Sequence, residues 1–388
     1  MNKIVAGAAV AALLAACHGE RQPQDLVGPM AAVESEPLGT QVVIGQTGPG
    51  STYRLDRPAE WNGDLVLYAH GAVPPTIPVR LPPDAASLRD ALVARGYAFA
   101  YSSRDETGYA VKDGVQRTRQ LRGLFAEAFG EPEHTYVMGN SMGGAIALML
   151  AEKNPGLFDG ALPMCTLAGG TKMEFDYLWN TRAVFDYYFP GVIPGDALNV
   201  PADLDFSADV VPAVRSALLA DPARAMELAA VDQVDIHASL TELVSGLVAG
   251  PLGLQVNFTN DILGRTHGHS WFDNTTTVYT GSQNDAALNE GVDRVASTPD
   301  AASYVEHYYQ PDGNLTMPVL TLHTTRDPVV PFAHEAVYAG IVAAQGKSDL
   351  LVQRTFDRFG HCGFGLAGQV QALEDLVAWA EHGVKPAP

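Results

Sequence analysis

The residues with the clearest chemical potential form the pentapeptide Gly139-Asn140-Ser141-Met142-Gly143. It follows a short, apolar, β-prone run at 135–138 and precedes an Ala-, Leu- and Met-rich run at 144–150, which predicts a strand, a sharp turn and a helix. Gly139 and Gly143 leave room for such a turn, which lifts the Ser141 hydroxyl above a sheet at a helix N-terminus. We therefore predict that Ser141 is a nucleophile. The alternative is a tight Gly/Ser turn between two core elements.

A serine hydroxyl needs a base to remove its proton and an acid to orient that base. After an elbow of this kind the acid and then the base follow along the chain. Asp327 comes just after a strand-like run at 317–323, and His361 lies in a glycine-flanked loop after a second such run at 350–356. We predict that Asp327 is the acid and His361 the base, against a turn-forming Asp-Pro pair and an exposed loop histidine. Two rival acids are Asp357 and Asp105.

An earlier strand is expected to supply the groups that stabilise a negative oxygen. The apolar run at 65–69 ends in His70-Gly71-Ala72. Backbone N–H groups of Ala72 and Met142 can converge on an oxyanion above the sheet. We predict that His70 shapes this loop by hydrogen bonding rather than transferring protons.

These residues together resemble the serine hydrolases of the α/β-hydrolase fold. The resemblance covers residues 65–165 and 317–379, and it rests on the His70-Gly71 loop, the Ser141 elbow, the Asp327-Pro328 loop and Gly360-His361. It implies an α/β architecture with a mostly parallel, doubly wound sheet. The motifs are similar both to those of carboxylesterases and to those of peptidases related to prolyl oligopeptidases. Asn140 departs from many relatives, which carry histidine or another residue before the serine.

The order of segments predicts a core interrupted by an insertion. Residues 41–165 and 315–388 form the predicted catalytic core, and residues 166–314 form a mostly helical cap between two strands. Aromatic residues cluster in the cap, where they either line an apolar pocket or pack the cap onto the core. His267-Gly268-His269 lacks a third ligand, so no metal and no cofactor are predicted.

Composition excludes some functions. The chain has 388 residues, a formal net charge of -20 and 47% hydrophobic residues, with a mean hydropathy near zero. This acidic balance argues against nucleic acid and against an electrostatic grip on anionic lipid. No dinucleotide or phosphate-binding glycine motif, internal repeat or second membrane segment occurs in the sequence.

The N-terminus has the features of an export signal. Lys3 precedes an apolar run at 4–14 that is too short for a permanent span, and Leu14-Ala15-Ala16-Cys17 resembles a bacterial lipobox. We predict a signal peptide at 1–17, lipidation of Cys17 and a flexible tether at 18–40, so that the enzyme is anchored to a membrane and faces the periplasm or exterior. The alternative is ordinary cleavage with Cys17 incidental.

Three cysteines occur, and lipidation of Cys17 leaves Cys165 and Cys362 as a pair in an oxidising compartment. Cys165 ends the strand-like run at 160–164, and Cys362 follows His361. Both are expected near the carboxyl edge of the sheet. We predict a disulfide that fixes the loop of the base, against the alternative of two buried thiols.

The leading functional prediction is hydrolysis of small carboxylic esters through an acyl-enzyme. A serine peptidase acting on short peptides is the main alternative, and its substrate amine would need a cap carboxylate such as Glu174, Asp176 or Glu306. An acyltransferase that excludes water and a non-catalytic surface binding protein also remain. The sequence does not indicate an oligomeric state.

Overall fold

The computed structural model describes residues 39–231 and 239–388. The predicted signal peptide at 1–17, Cys17 and nearly all of the predicted tether lie outside the described residues. The elements below are numbered in chain order within that part of the chain.

A mixed eight-stranded sheet forms the centre of the described chain, in the order β1-β2-β4-β3-β5-β6-β7-β8. Strands β3 to β8 run parallel to their neighbours, and β2 is antiparallel to both β1 and β4. The strands are β1 Gln41–Thr47, β2 Ser51–Arg57, β3 Asp64–Ala69, β4 Ala98–Ser102, β5 His134–Asn140, β6 Gly160–Met164, β7 Val319–Arg326 and β8 Leu351–Phe359. This confirms the predicted α/β class with a mostly parallel sheet.

Helices connect the parallel strands and cover both faces of the sheet. The α-helices of the described chain are α1 Ala85–Val93, α2 Val111–Phe129, α3 Met142–Lys153, α4 Thr171–Tyr188, α5 Val211–Ala220, α6 Pro222–Val231, α7 Leu240–Ala249, α8 Pro251–Arg265, α9 Asp285–Gly291, α10 Pro299–His307, α11 Ala333–Ala344 and α12 Gly365–His382. A π-helical turn spans Phe206–Val210, and a short 3-10 turn spans Ser348–Leu350.

Alternation along the strands divides the core into two layers. In β3, Leu65 and Leu67 contribute to the layer that contains α2 and α3, whereas Val66 and Tyr68 contribute to the layer that contains α1 and α12. Successive side chains of a strand point to opposite faces, and all of β3 is buried. A strand that is covered on both faces has a continuous apolar sequence. This is why the apolar run at 65–69 predicted β3.

The segment between β6 and β7 contains helices α4 to α10. Many of its apolar side chains, among them Val184, Phe185 and Leu247, form a third hydrophobic cluster away from the two sheet layers. Helices α4 and α8 pack against each other. Among residues 39–231 and 239–388, no helix combines the length and the apolar content that crossing a membrane requires.

Candidate active site

The Ser141 elbow lies where β5 ends and α3 begins. Ser141 has φ 56° and ψ -126°, a left-handed backbone that an L residue rarely adopts. Its N–H donates to the Met164 carbonyl at 2.8 Å, and its own carbonyl accepts from the Gly144 N–H at 2.8 Å. These bonds hold the turn between β5, β6 and the first turn of α3.

The two glycines that frame the elbow are required by close backbone contacts. A Cβ on Gly139 would collide with the Gly143 carbonyl, and a Cβ on Gly143 would collide with the Ala69 carbonyl. The spacing of glycines around the serine therefore follows from the crossing of β5, α3 and the end of β3.

His361 and Asp327 are brought together by neighbouring parallel strands. Asp327 directly follows β7 and His361 lies two residues beyond β8, and His361 Nδ1 is 2.7 Å from Asp327 Oδ2. The other carboxylate oxygen, Oδ1, accepts the N–H groups of Val329 at 2.8 Å and Val330 at 3.1 Å. An acid held in this way fixes both the orientation of the imidazole and the proton on Nδ1.

Asp327 is buried but remains charged at neutral pH. Burial alone would raise the pKa of its carboxyl, but His361, His323 and the Val329 N–H outweigh burial and hold the pKa below its usual value. His323 lies behind it, with Nε2 3.6 Å from Asp327 Oδ2 and Nδ1 3.1 Å from Glu335 Oε1. Burial lowers the pKa of His323, yet Glu335 raises it above its usual value overall. A buried acid–histidine–acid row therefore supports the loop that carries Asp327.

The loop after β3 is held by Arg104. The Arg104 Nη2 donates to His70 Nδ1 at 2.7 Å and to the Gly71 carbonyl at 2.6 Å. Burial, and next the Arg104 charge, lower the pKa of His70 well below its usual value, so the imidazole is neutral and a weak base. This arrangement agrees with a structural role for His70. Ala72 borders the cavity beside Ser141, and Met142, as the first residue of α3, has no partner for its N–H within the helix.

Two cavities meet at Ser141. The larger, of about 140 Å³, is lined by Ser141, His361, the His70-Gly71-Ala72 loop and the loop around Arg80. The smaller, of about 50 Å³, is lined by Ser141, Ala72, Met142 and side chains from α4 and α8. The structure thus brings Ser141, His361 and the two predicted oxyanion donors to one cleft.

A disulfide joins Cys165 and Cys362 at the edge of this cleft, with Cα atoms 5.1 Å apart. Cys165 directly follows β6, its N–H donates to the Leu322 carbonyl of β7, and it is fully buried. Cys362 is also fully buried and directly follows His361. The bond ties the histidine loop to the end of β6.

The rival acids lie in other contacts. Asp357 accepts from the Thr325 hydroxyl at 3.2 Å on the exposed side of β8. Asp105 pairs with Arg117 on α2. Neither His267 nor His269 belongs to a group of three possible metal ligands in the part of the chain that the structure describes.

Of the three cap carboxylates weighed for binding an amine, one lies at the cleft. Glu174 is 4% exposed and lines the smaller cavity beside Ser141. Asp176 pairs with Lys172 on the outer side of α4, and Glu306 is exposed on α10. Arg104, His334 and Glu335 had no sequence signal, since each gains its meaning from partners that only the fold supplies.

Comparisons with known proteins give a partial match to one family and one distant relative. Residues 46–196, less than half of the chain, match the model of a tannase-like family of unknown function (DUF6351). The chain is also 22% identical to an o-phthalyl amidase from Xanthobacter agilis over 410 aligned positions, which cover 88% of each protein.

Two solved esterase structures are similar to this chain. An esterase from Aspergillus oryzae superposes with a TM-score of 0.51 at 15% identity, covering 89% of this chain and 81% of that one. Feruloyl esterase B from Aspergillus oryzae gives a TM-score of 0.49 at 14% identity, with coverages of 93% and 86%. The sheet order and the likeness to the first of these show that the chain has the α/β-hydrolase fold.

Proposed function

We propose that this protein is a serine hydrolase that cleaves carboxylic esters, with Ser141 as nucleophile, His361 as general base and Asp327 as the acid that orients it. The observation that carries the proposal is the 2.7 Å contact between His361 Nδ1 and Asp327 Oδ2 at the cleft that Ser141 lines from its strained elbow. The esterase structure with the same fold adds support at the level of fold.

In the proposed reaction, the Ser141 Oγ attacks the ester carbonyl carbon while His361 Nε2 takes the hydroxyl proton. The carbonyl π electrons move to oxygen, and the N–H groups of Ala72 and Met142 stabilise the oxyanion. The intermediate collapses, the carbon–oxygen bond to the alcohol breaks, and His361 gives its proton to the leaving alkoxide. Water then attacks the acyl-enzyme with His361 again as base, which releases the carboxylic acid and restores Ser141.

Amides are the second candidate substrates, because the relative from Xanthobacter agilis, which aligns with 88% of this chain, is an o-phthalyl amidase. The same acyl-enzyme would form, with an amine in place of the alcohol. Amine leaving groups depend more on protonation by His361 than alkoxides do, so we expect esters to be cleaved faster. The rates of hydrolysis of p-nitrophenyl butyrate and butyryl-p-nitroanilide distinguish ester cleavage from amide cleavage.

Labelling with a fluorophosphonate tests the nucleophile. We expect the reagent to modify Ser141 and Ser141→Ala to lower ester turnover by roughly 10⁶-fold without loss of folding. Ser103 lines the same cleft and offers a matched control, because its hydroxyl is already engaged with the Arg104 carbonyl at 2.8 Å. Ser103→Ala is expected to keep labelling and most of the turnover. Label on any serine other than Ser141 refutes the assignment.

A further inference from the structure

The two cavities at Ser141 divide the substrate between them. His361 must deliver a proton to the leaving alcohol, so the alcohol lies on the side of the cleft that His361 lines, which is the larger cavity. The smaller cavity lacks His361 but contains both Ala72 and Met142, the proposed oxyanion donors. The acyl chain therefore points into the smaller cavity.

Apolar side chains form most of the wall of the smaller cavity. Leu167, Phe175, Leu178, Leu254 and Phe258 contribute to it, and among the described residues that line it, Glu174 is the one with a carboxyl or cationic group. The Tyr109 hydroxyl on the same wall already donates to Thr171 Oγ1 at 2.8 Å. A buried carboxyl in such a wall is costly unless its oxygens find partners.

One oxygen of Glu174 is engaged outside the cavity. Glu174 Oε2 is 3.1 Å from His334 Nε2, and the Gly169 N–H donates to His334 Nδ1 at 3.0 Å. Because Nδ1 is an acceptor, Nε2 carries the hydrogen and donates to Oε2. Burial, and next the His323 charge, lower the pKa of His334 to about 3, so that the ring is neutral.

The second carboxyl oxygen of Glu174, Oε1, is the one that can bond to a ligand in the cavity. Among the described residues, Glu174 Oε1 is buried and has no hydrogen-bond partner. Trp179 lines the same cavity five residues further along α4, and its indole Nε1 is likewise buried and without a partner in residues 39–231 and 239–388. Burial, and next the charge of Asp327, raise the pKa of Glu174 well above its usual value, so a neutral carboxyl faces the cavity. Both groups are suited to an uncharged polar ligand.

We propose that the smaller cavity selects short acyl groups that carry a hydroxyl, with Glu174 as the residue that determines this specificity. The inference rests on the proposed function, because it takes Ser141 as the acylated residue. A hydroxyl oxygen can accept two hydrogen bonds, so it can accept from the Oε1–H of the neutral Glu174 carboxyl and from the Trp179 N–H.

The size of the smaller cavity and the charge of its lining narrow the class of acyl group that it can hold. A cavity of about 50 Å³ holds roughly three to five non-hydrogen atoms at the 10–15 Å³ that a water-sized group takes. This suits a hydroxybutanoyl chain better than a ring. An ammonium group is disfavoured, because it would bury three donors against one neutral carboxyl and the Trp179 N–H, itself a donor.

Binding to the Ser141→Ala variant tests the proposal without relying on turnover. Trp179 lies on the cavity wall and contacts Trp271 edge to face, so tryptophan fluorescence reports occupancy. The probes are the methyl esters of 2-hydroxybutanoate and 3-hydroxybutanoate, each compared with the ester that has a methyl in place of the hydroxyl, and methyl 3-aminobutanoate. We expect one hydroxy ester to bind about ten- to a hundredfold more tightly than its methyl counterpart, the effect of satisfying a buried polar group.

Variants of Glu174 assign the effect. Glu174→Leu should abolish the preference for the hydroxyl, and Glu174→Gln should retain part of it, because the amide can still accept from His334 and donate into the cavity. Asp176→Asn is the matched control on the same helix, outside the cavity, and should leave the preference unchanged. If Glu174→Leu does not fold, the comparison of paired esters and the Glu174→Gln variant decide.

Equal or weaker binding of both hydroxy esters overturns the proposal, as does tightest binding of the amino ester or a preference that survives in Glu174→Leu. These outcomes leave the Ser141 labelling result untouched. Failure of that labelling would refute the proposed function, while the binding comparison would still decide what the cavity prefers.

Discussion

Of the six non-glycine residues with left-handed backbone in the described chain, three lie at the cleft or in the disulfide at its edge. Ser141, Cys165 and Cys362 have φ of 56°, 45° and 54°. Such conformations cost on the order of 1 kcal/mol or more each and persist only where their surroundings hold them. Here the framing glycines hold Ser141, and the disulfide and its neighbours hold the two cysteines. Strain is thus present at the residues that fix the proposed nucleophile and base, and it also occurs at Arg104, His267 and Tyr309.

At this scale the acid is the next residue to test. We expect Asp327→Asn to lower kcat by about 10²–10⁴-fold. The amide oxygen would stay with the Val329 and Val330 N–H groups, so the NH2 group would face His361 Nδ1 and favour the wrong tautomer. The measurement is kcat for p-nitrophenyl butyrate, with circular dichroism to verify folding.

The neighbouring Asp357 provides the control. It is exposed, and its carboxylate accepts from the Thr325 hydroxyl rather than from His361, so Asp357→Asn should keep nearly full turnover. A normal kcat in Asp327→Asn, or a large loss in Asp357→Asn, would move the acid to the latter residue.

Individual residues were predictable from sequence only where a local pattern marked them. Ser141 stands in a glycine-framed turn, and Asp327 and His361 follow strand-like runs. These local patterns are the reason that the sequence could identify the three residues as candidates. Glu174 was one of three acids with nothing to rank them. Its partner His334 is 160 positions away, and Arg104 acts on His70 across 34 positions. Long-range pairs of this kind leave no trace in a single sequence.

At the scale of elements, adjacent parallel strands align the acid and the base. β7 pairs with β8 from Val319 with Leu351 to Arg326 with Phe359, with a register shift between Thr324 and Arg326. The carboxyl ends of parallel strands lie at one sheet edge, so the loops that follow them meet. Buried strands of this kind were visible as apolar runs, whereas the β1–β2 hairpin was not predicted, because β1 is a half-exposed edge strand with a weak pattern.

The disulfide couples two of these elements. Removing it in a Cys165→Ala, Cys362→Ala double variant should lower kcat on the order of a hundredfold, because a base displaced by about 1 Å loses its reaction geometry. The loop of 197 residues that the bond closes also restricts the unfolded chain by about 5 kcal/mol in the entropy model. Kinetics and urea unfolding of the same samples separate the two effects.

The double variant is informative at low denaturant, where the folded form still predominates. Activity should then be reduced although circular dichroism is unchanged. Full kcat in the folded double variant would show that the His361 loop keeps its position without the bond.

A cluster of titratable side chains lies at the amino ends of β3 and β5, near the end of α12 and away from the cleft. Burial raises the pKa of Asp64 to about 6, while a hydrogen bond from His134 opposes this and Glu381 adds to it. Burial lowers the pKa of His134, but Asp64 and Glu381 outweigh it and raise the value. A group with a raised folded pKa binds its proton more tightly in the native state, so its stabilising contribution is lost as pH rises.

We therefore expect Asp64→Asn to become more stable relative to the wild type as pH rises. The stabilising contribution of Asp64 falls as pH rises from its usual pKa of 3.8 to about 6, and that of His134 falls as pH rises above its usual pKa of 6.5, so both change in the same direction. Urea unfolding at about pH 4.5 and pH 7.5 measures the difference, with the exposed Asp349→Asn as control. A difference that is constant, or that shifts toward the wild type at the higher pH, contradicts this reading.

At the scale of the whole molecule, the order of elements along the chain can be compared with the predicted core and cap, whose division stays a prediction. The sequence placed a helical segment between two strands of the sheet, and α4 to α10 occupy that interval. What the sequence could not supply is how the segment meets the core, because the cavity wall combines α4 and α8, which are far apart in the chain. Side-chain packing between remote helices is decided by shape, which a periodic pattern does not encode.

Membrane attachment through Cys17 stays a prediction, since that residue lies outside the described chain. We expect Cys17→Ser to move the protein from the membrane fraction to the soluble fraction with unchanged kcat and KM, because the cleft lies within residues 70–362. Fractionation followed by an ester assay measures both. Membrane association that persists in Cys17→Ser would contradict lipidation as the anchor.

The Cys165–Cys362 bond also makes part of the chain circular. The ring contains helices α4 to α10, Asp327 and His361, whereas Ser141 precedes it. A protease that cuts one peptide bond inside the ring opens the loop but releases no fragment, because both new ends remain joined through sulfur. A nicked molecule therefore keeps its acid and base covalently attached to the half that carries the serine, and it separates into two pieces only after reduction.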